Sequence, residues 1–275
     1  MKRILAILLA CAGCADGSDA RPYAARIAAA AGLQREDAQA GPFRLLRYAR
    51  FTPGAPVLRV YIEGDGHAWS APDRPSADPT PWQPVGLELA AQDPADSVAW
   101  VARPCQYIAP GADPACAEPF WTEARYAEPV IASVDAAIGQ LLARSGAKSL
   151  ELVGFSGGGA VAALVAARRK DVASLRTVSA DLDTETWTRS MRLTPLRASL
   201  NPADETDRLA HLPQLHFWGT ADRVVGRSVA EAFRARFSRP GCVSIVSVAG
   251  LQHGEGWPAA WRQLLRRPVL CNRDS

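Results

Sequence analysis

Long apolar runs are scarce in this sequence. Beyond Ile4–Ala10 nothing approaches the roughly 20 consecutive apolar residues that a membrane-spanning helix needs. Lysine is nearly absent: of 31 basic residues only Lys2, Lys148 and Lys170 are lysines. The formal net charge of +3 is small for 275 residues, and no basic stripe interleaved with aromatics occurs. That pattern excludes the usual footprint of a nucleic-acid-binding surface, and no nucleic-acid partner is expected. Metal-ligand spacing is also missing. Beyond the first 14 residues no two cysteines lie two to four residues apart, and no histidine sits near a cysteine, so neither a metal nor an organic cofactor is expected. There is no internal repeat and no interdomain linker. A 48% hydrophobic, 21% charged chain of this length fits one large globular domain.

What is present begins with a leader. Lys2 and Arg3 precede the apolar Ile4–Ala10, which is followed by small residues and two cysteines. A charged start, a short apolar core and a small-residue zone describe an export signal. Ala12-Gly13-Cys14 resembles the lipobox of bacterial lipoproteins, in which the cysteine after a small pair becomes the acylated N-terminus. Cys11 stands where that motif usually has leucine, and Cys11 itself is the rival acylation site. The expectation is a lipoprotein-type signal peptide over residues 1–13, lipidation at Cys14, and a domain over residues 20–275. The protein is then periplasmic and membrane-attached through its lipid, with a plain cleaved signal peptide as the alternative.

Four cysteines remain: Cys105, Cys116, Cys242 and Cys271. An even number in an exported chain implies disulfides, with three connectivities open. The expected pairs are Cys105–Cys116, within one long loop, and Cys242–Cys271, tying the start of the last strand to the chain end.

From residue 43 onward strands and helices alternate. Strands are read at Phe43–Phe51, Val57–Ile62, Ser97–Ala102, Leu150–Val153, Leu175–Val178, Leu215–Trp218 and Val243–Val248. Helices are read at Tyr23–Leu33, Val85–Gln92, Val130–Arg144, Gly157–Arg169, Val229–Phe237 and Pro258–Leu265. Gln34–Gly41 reads as a polar connection and Asp181–Leu212 as irregular. Such alternation implies an α/β domain with a mostly parallel sheet covered on both faces.

The chemistry concentrates in Gly154-Phe155-Ser156-Gly157-Gly158, which follows an apolar strand and opens a small-residue helix. In that context G-x-S-x-G is a nucleophile elbow. A tight strand-to-helix turn tolerates only small neighbours, and it lifts the Ser156 hydroxyl clear of the sheet. Serine needs a base to take its proton. In enzymes built on such a turn the partners follow in the order serine, acid, histidine. Of the four histidines, His253 sits after the last strand and before the last helix. His216 falls inside an apolar strand, His211 in a polar connection, and His67 beside an early glycine pair. The acid expected between serine and histidine is Asp222, at the end of the strand Leu215–Trp218, with Asp181 and Asp183 as rivals. The oxyanion of a tetrahedral intermediate needs two backbone donors. They are expected at Gly157 and at Asp65, in Gly64-Asp65-Gly66 after the strand Val57–Ile62, with Gly66 second to Asp65.

Together these residues resemble the α/β-hydrolase superfamily, and the match in element order runs through most of the mature chain. Among its members the closest likeness is to small bacterial serine hydrolases with a lipoprotein-type signal peptide. The resemblance implies a single α/β-hydrolase domain with a small or absent lid, and no cofactor. It implies a serine hydrolase that cleaves an ester, thioester or amide through an acyl-enzyme on Ser156. A carboxylesterase acting on a small-molecule acyl substrate is favoured. The alternatives are a serine peptidase of the same fold and a catalytically dead binding protein. The sequence departs from many members in carrying Glu63-Gly64 where they have His-Gly. Glu63 and Asp65 would argue against strongly anionic substrates. Trp69, Trp82, Trp187 and Trp257 are the aromatic residues expected near the site. Oligomeric state is not legible.

Overall fold

The structure is a computed structural model, and it describes residues 20–271. The expected signal peptide and both candidate acylation sites, Cys11 and Cys14, lie outside the described residues.

Ten strands form: β1 (Gln34–Ala40), β2 (Phe43–Arg50), β3 (Val57–Ile62), β4 (Trp69–Ala71), β5 (Arg74–Pro75), β6 (Val98–Val101), β7 (Ser149–Phe155), β8 (Val172–Val178), β9 (Gln214–Gly219) and β10 (Val243–Val248). The helices are α1 (Ala20–Ala30), α2 (Val85–Ala91), α3 (Glu128–Ser145), α4 (Gly157–Ala166), α5 (Thr184–Met191), the single turn α6 (Thr206–Leu209), α7 (Arg227–Ala235) and α8 (Trp257–Leu264). Eight strands make one sheet in the order β1-β2-β6-β3-β7-β8-β9-β10; β4 and β5 form a separate small hairpin. From β6 to β10 every neighbour is parallel, while β2 pairs antiparallel with both β1 and β6. This is the single, mostly parallel α/β-hydrolase domain that the sequence implied.

Two departures have physical reasons. Gln34–Ala40 is a strand, not a connection. It lies at the sheet edge, where one side has no strand to face and apolar residues are not required; its burial runs from exposed to intermediate until Ala40. Within 181–212, α5 is a true helix, capped by Asp183, whose side chain accepts from the Thr186 amide. It escapes an apolar reading because it buries only Thr184, Trp187 and Thr188.

Alternation along the central strands divides the core. Val60, Ile62, Ala99 and Val101 face a cluster with Val130, Val134 and Ile138 of α3 and the small residues of α4. Tyr61, Val98, Trp100 and Val153 face the opposite cluster, with Ala24 of α1, Leu87 of α2 and Trp257 and Trp261 of α8. Both faces are thus dry, which is why the parallel strands read as continuous apolar runs. The chain leaves β3 toward β6 on one side, while β7 lies on its other side. A crevice therefore opens between the carboxyl ends of β3 and β7, the position where ligands bind in such sheets. The register Ile62↔Gly154 places the Glu63–Asp65 turn beside the turn carrying Ser156.

Candidate active site

The turn after β7 is held by close packing. Ser156 has φ 51° and ψ −127°, a conformation that L-residues rarely adopt. Its amide donates to the Val178 carbonyl at 2.9 Å. A Cβ on Gly154 would collide with the backbone of Gly158 and Gly159, and one on Gly158 with the carbonyls of Ile62 and Glu63. The glycines are therefore demanded by space: β3, β7 and the first turn of α4 approach to backbone contact.

Ser156, His253 and Asp222 come together in a continuous hydrogen-bonded chain. His253 Nε2 lies 2.9 Å from Ser156 Oγ, and His253 Nδ1 lies 3.0 Å from Asp222 Oδ2. The other Asp222 oxygen accepts from the amides of Val224 (2.8 Å) and Val225 (2.9 Å). Burial would raise the Asp222 carboxyl, but the His253 ring and the Val225 amide outweigh it and hold it below its usual range. An ionised Asp222 can only accept, so Nδ1 carries the proton and Nε2 is left to accept from the serine hydroxyl. The histidine loop is fastened from behind. Trp257 Nε1 donates to the carbonyls of Gln252 (2.8 Å) and His253 (3.1 Å).

The two rival acids lie elsewhere. Asp183 caps α5, and Asp181 Oδ2 accepts from Tyr126 Oη at 3.3 Å. Nor do the other histidines join the serine. His216 is buried with Nδ1 2.8 Å from Thr177 Oγ1, and burial lowers its pKa to about 3. His67 stacks on Trp82, ring centroids 4.2 Å apart.

Around the expected oxyanion site, Gly157 stands at the first position of α4, where backbone amides are free of helical partners. The Asp65 carboxylate packs so closely over Gly157 that a Cβ there would overlap it. Neither acidic side chain on this loop presents free negative charge. Glu63 is buried and accepts from four donors: the amides of Gly64 (2.9 Å), Gly86 (3.1 Å) and Leu87 (3.1 Å), and Trp100 Nε1 (3.0 Å). Asp65 is matched by Arg103 (3.0 Å), Arg125 (2.8 Å) and Tyr126 Oη (3.1 Å). Burial works against its charge, yet the two guanidiniums hold the carboxyl below its usual range. The expected bias against anionic substrates therefore loses its basis.

Of the four tryptophans, Trp82 and Trp69 are open to solvent, 70% and 41% exposed. Trp257 is fully buried and serves the histidine loop. Trp187 is buried in a small cluster with Val225 and Val229, its Nε1 donating to the Val224 carbonyl at 2.9 Å. Cys105 is joined to Cys116, and Cys242 to Cys271. Sequence reasoning missed Gln106, Arg103, Arg125 and Tyr126, which grip Gly64 and Asp65 in the turn after β3. They lie in the long segment between β6 and α3, where no periodicity marks a residue; the cysteine pair inside it was the one available signal. A cavity of about 530 Å³ between β9, α7 and β10, lined by Trp218, Arg227 and Arg234 among others, shares no residue with this site.

No family model matches this chain, and no curated protein is similar to it in sequence. Many solved structures share its fold. An α/β serine hydrolase homologue from Coxiella burnetii superposes with a TM-score of 0.57 at 18% identity, over 84% of this chain and 93% of its own. A serine hydrolase without a lid from Xanthomonas campestris gives 0.55 at 13% identity, over 86% and 94%. The esterase domain of a Rhodothermus marinus protein gives 0.56 at 14% identity, over 84% and 94%. At such identities the likeness establishes the fold alone: a single domain of the α/β-hydrolase kind with a mostly parallel sheet.

Proposed function

We propose that the protein is a serine hydrolase that cleaves a carboxylic ester through an acyl-enzyme on Ser156. The observation that carries this reading is the unbroken Ser156–His253–Asp222 hydrogen-bonded chain at the crevice. His253 Nε2 takes the Ser156 proton as Oγ attacks the carbonyl carbon. The resulting oxyanion is received by the amides of Gly157 and Asp65. His253 then returns the proton to the leaving alcohol, and the acyl-enzyme forms. Water repeats the sequence in reverse, its proton going to His253, and the acid is released. Asp222 holds the ring and stabilises its charged form without itself taking the proton. An open rim with exposed Trp69 and Trp82 suits a small-molecule acyl substrate.

We also place the mature domain, residues 20–275, outside the cytoplasm, anchored through acylated Cys14. The two disulfides support export. Among the described residues no helix is long and apolar enough to cross a membrane, so a lipid would be the attachment.

A fluorophosphonate probe tests the reading. Labelling of the wild type that disappears in Ser156→Ala supports a serine hydrolase, and failure to label the folded protein would favour a binding module. A screen of short to long acyl esters beside thioesters and aminoacyl amides then separates esterase from peptidase.

A further inference from the structure

The expected oxyanion donor at Asp65 is a backbone N–H, and a backbone N–H does not choose its own direction. It shares a rigid trans peptide plane with the carbonyl of Gly64, and the two groups point to opposite sides of that plane. Whatever holds the Gly64 carbonyl therefore aims the Asp65 amide. In this structure the holder is Gln106, whose Nε2 donates to Gly64 O at 2.8 Å.

Gln106 is only 1% exposed, and its orientation is fixed at both ends of the amide. Its Oε1 accepts from the Arg103 amide at 3.2 Å, so a flipped side chain would set oxygen against the Gly64 carbonyl and nitrogen against an N–H. The backbone around it is unusual. Cys105 has φ 70° and Tyr107 has φ 62°, two non-glycine residues in the left-handed region on either side of one glutamine. Such a turn persists only where its surroundings determine it. Here Cys105 is covalently joined to Cys116, and the Tyr107 amide donates to Thr80 Oγ1 at 2.7 Å. Space against the loop is tight as well, since a Cβ on Gly66 would press on Gln106 Nε2.

We propose that Gln106 is a positioning residue: it aims the Asp65 N–H at the oxyanion by holding the other side of the same peptide plane, and the Cys105–Cys116 bond keeps it there. This rests on the serine-hydrolase reading above. It also gives that disulfide an effect on turnover.

The test is kinetic, with p-nitrophenyl acetate hydrolysis and the rate of fluorophosphonate labelling as readouts in the full mature chain. Gln106→Met removes the donor at similar length. Loss of one oxyanion donor costs on the order of 10²–10³ in kcat, and misdirecting one should cost roughly 10–100-fold, with KM within about threefold and labelling slowed in parallel. A folded Gln106→Met whose kcat stays within about threefold of wild type, or whose loss falls on KM alone, overturns the proposal. Gln106→Glu supplies a second reading in case the methionine variant does not fold. Protonated, its carboxyl can still donate to Gly64 O; ionised, it repels that oxygen. Its kcat relative to wild type should therefore rise as pH falls, and a flat ratio refutes the positioning role. The Cys105→Ser, Cys116→Ser pair should lower kcat in the same direction and add little to Gln106→Met, because both act through one peptide plane. Full additivity would separate the disulfide from the oxyanion hole. Should the wild type fail to label at Ser156, the parent reading fails; should it label normally while the Gln106 variants do too, only this inference fails.

Discussion

Glu63 offers a sharp test of how the turn after β3 is built. Four donors and no acceptor surround its carboxyl, two on each oxygen. Burial raises the carboxyl's pKa, but four donors and no acceptor match its ionised form, and they tie the end of β3 to the first turn of α2 and to the indole of Trp100 in β6. Glu63→Gln preserves shape and volume but turns one oxygen into an NH₂. Whichever way the amide faces, two good hydrogen bonds become donor-against-donor contacts. Bonds to a charged group contribute about 1.5–3 kcal/mol each, and a buried donor left unpaired costs about 1–3 kcal/mol. Two such losses amount to roughly 3–6 kcal/mol, a large share of the 5–15 kcal/mol that typically stabilises a folded protein. At about 2–4 °C per kcal/mol for a domain of this size class, Tm should fall by roughly 6–24 °C. Circular dichroism melts and urea titrations of the oxidised protein measure this directly. Glu63→Leu, which strands all four donors, should be at least as damaging. A Glu63→Gln protein within about 1 kcal/mol of wild type would refute the reasoning, since it would mean that the four donors are not held by a carboxylate.

Three further outcomes are expected. Asp222→Asn should lower kcat about 10⁴-fold by favouring the wrong His253 tautomer, while Asp183→Asn, which touches the α5 cap and Arg236, should keep near-normal turnover; the reverse pattern in ester hydrolysis would reassign the acid. Burial and the Asp65 charge raise the Asp181 carboxyl to about 8, above its unfolded value of 3.8. The unfolded chain thus binds fewer protons than the folded one between those values, so this group's contribution to stability is present at low pH and is lost as pH rises toward 8. Asp181→Asn should remove that loss and gain on wild type by a few kcal/mol from pH 4.5 to pH 8 in urea titrations; parallel pH dependences would contradict the assignment. Labelled palmitate fed to an expressing bacterium should enter the protein and be lost in Cys14→Ser; incorporation that instead depends on Cys11 would move the anchor, and none at all would leave a simple exported protein.

Where the sequence made local geometry legible, a short-range constraint was at work. The elbow is legible because three backbones meet there, and only glycine at 154 and 158 lets them. The position of His253 follows from chain order in the fold, and Asp222 ends a strand whose apolar run is unmistakable. What stayed hidden is long-range. That Gln106 reaches Gly64, 42 residues earlier, depends on how the 103–126 segment folds over the crevice, and nothing periodic encodes that. Glu63 read only as a departure from the family's His-Gly, because its four partners come from three separate stretches of chain. Arg103 and Arg125 were indistinguishable from the many surface arginines until Asp65 was seen between them. Trp257, expected near the site, lies behind it, drawn inward by the carbonyls of Gln252 and His253.

The edge strand β1 carries a consequence of another kind. An open sheet rim is a template on which a second chain can crystallise as an added strand. Here that rim is occupied by Gln34-Arg35-Glu36-Asp37-Ala38-Gln39, four of whose residues are exposed and three charged. Glu36 is tethered sideways by Arg47 (3.6 Å) and by Arg144 of α3 (2.8 Å), so the strand's charges are held in place at the margin. A visiting strand would have to bury these groups against its own backbone without repayment. A polar stretch outside the hydrophobic core thus makes this rim of the sheet a poor template for an added strand.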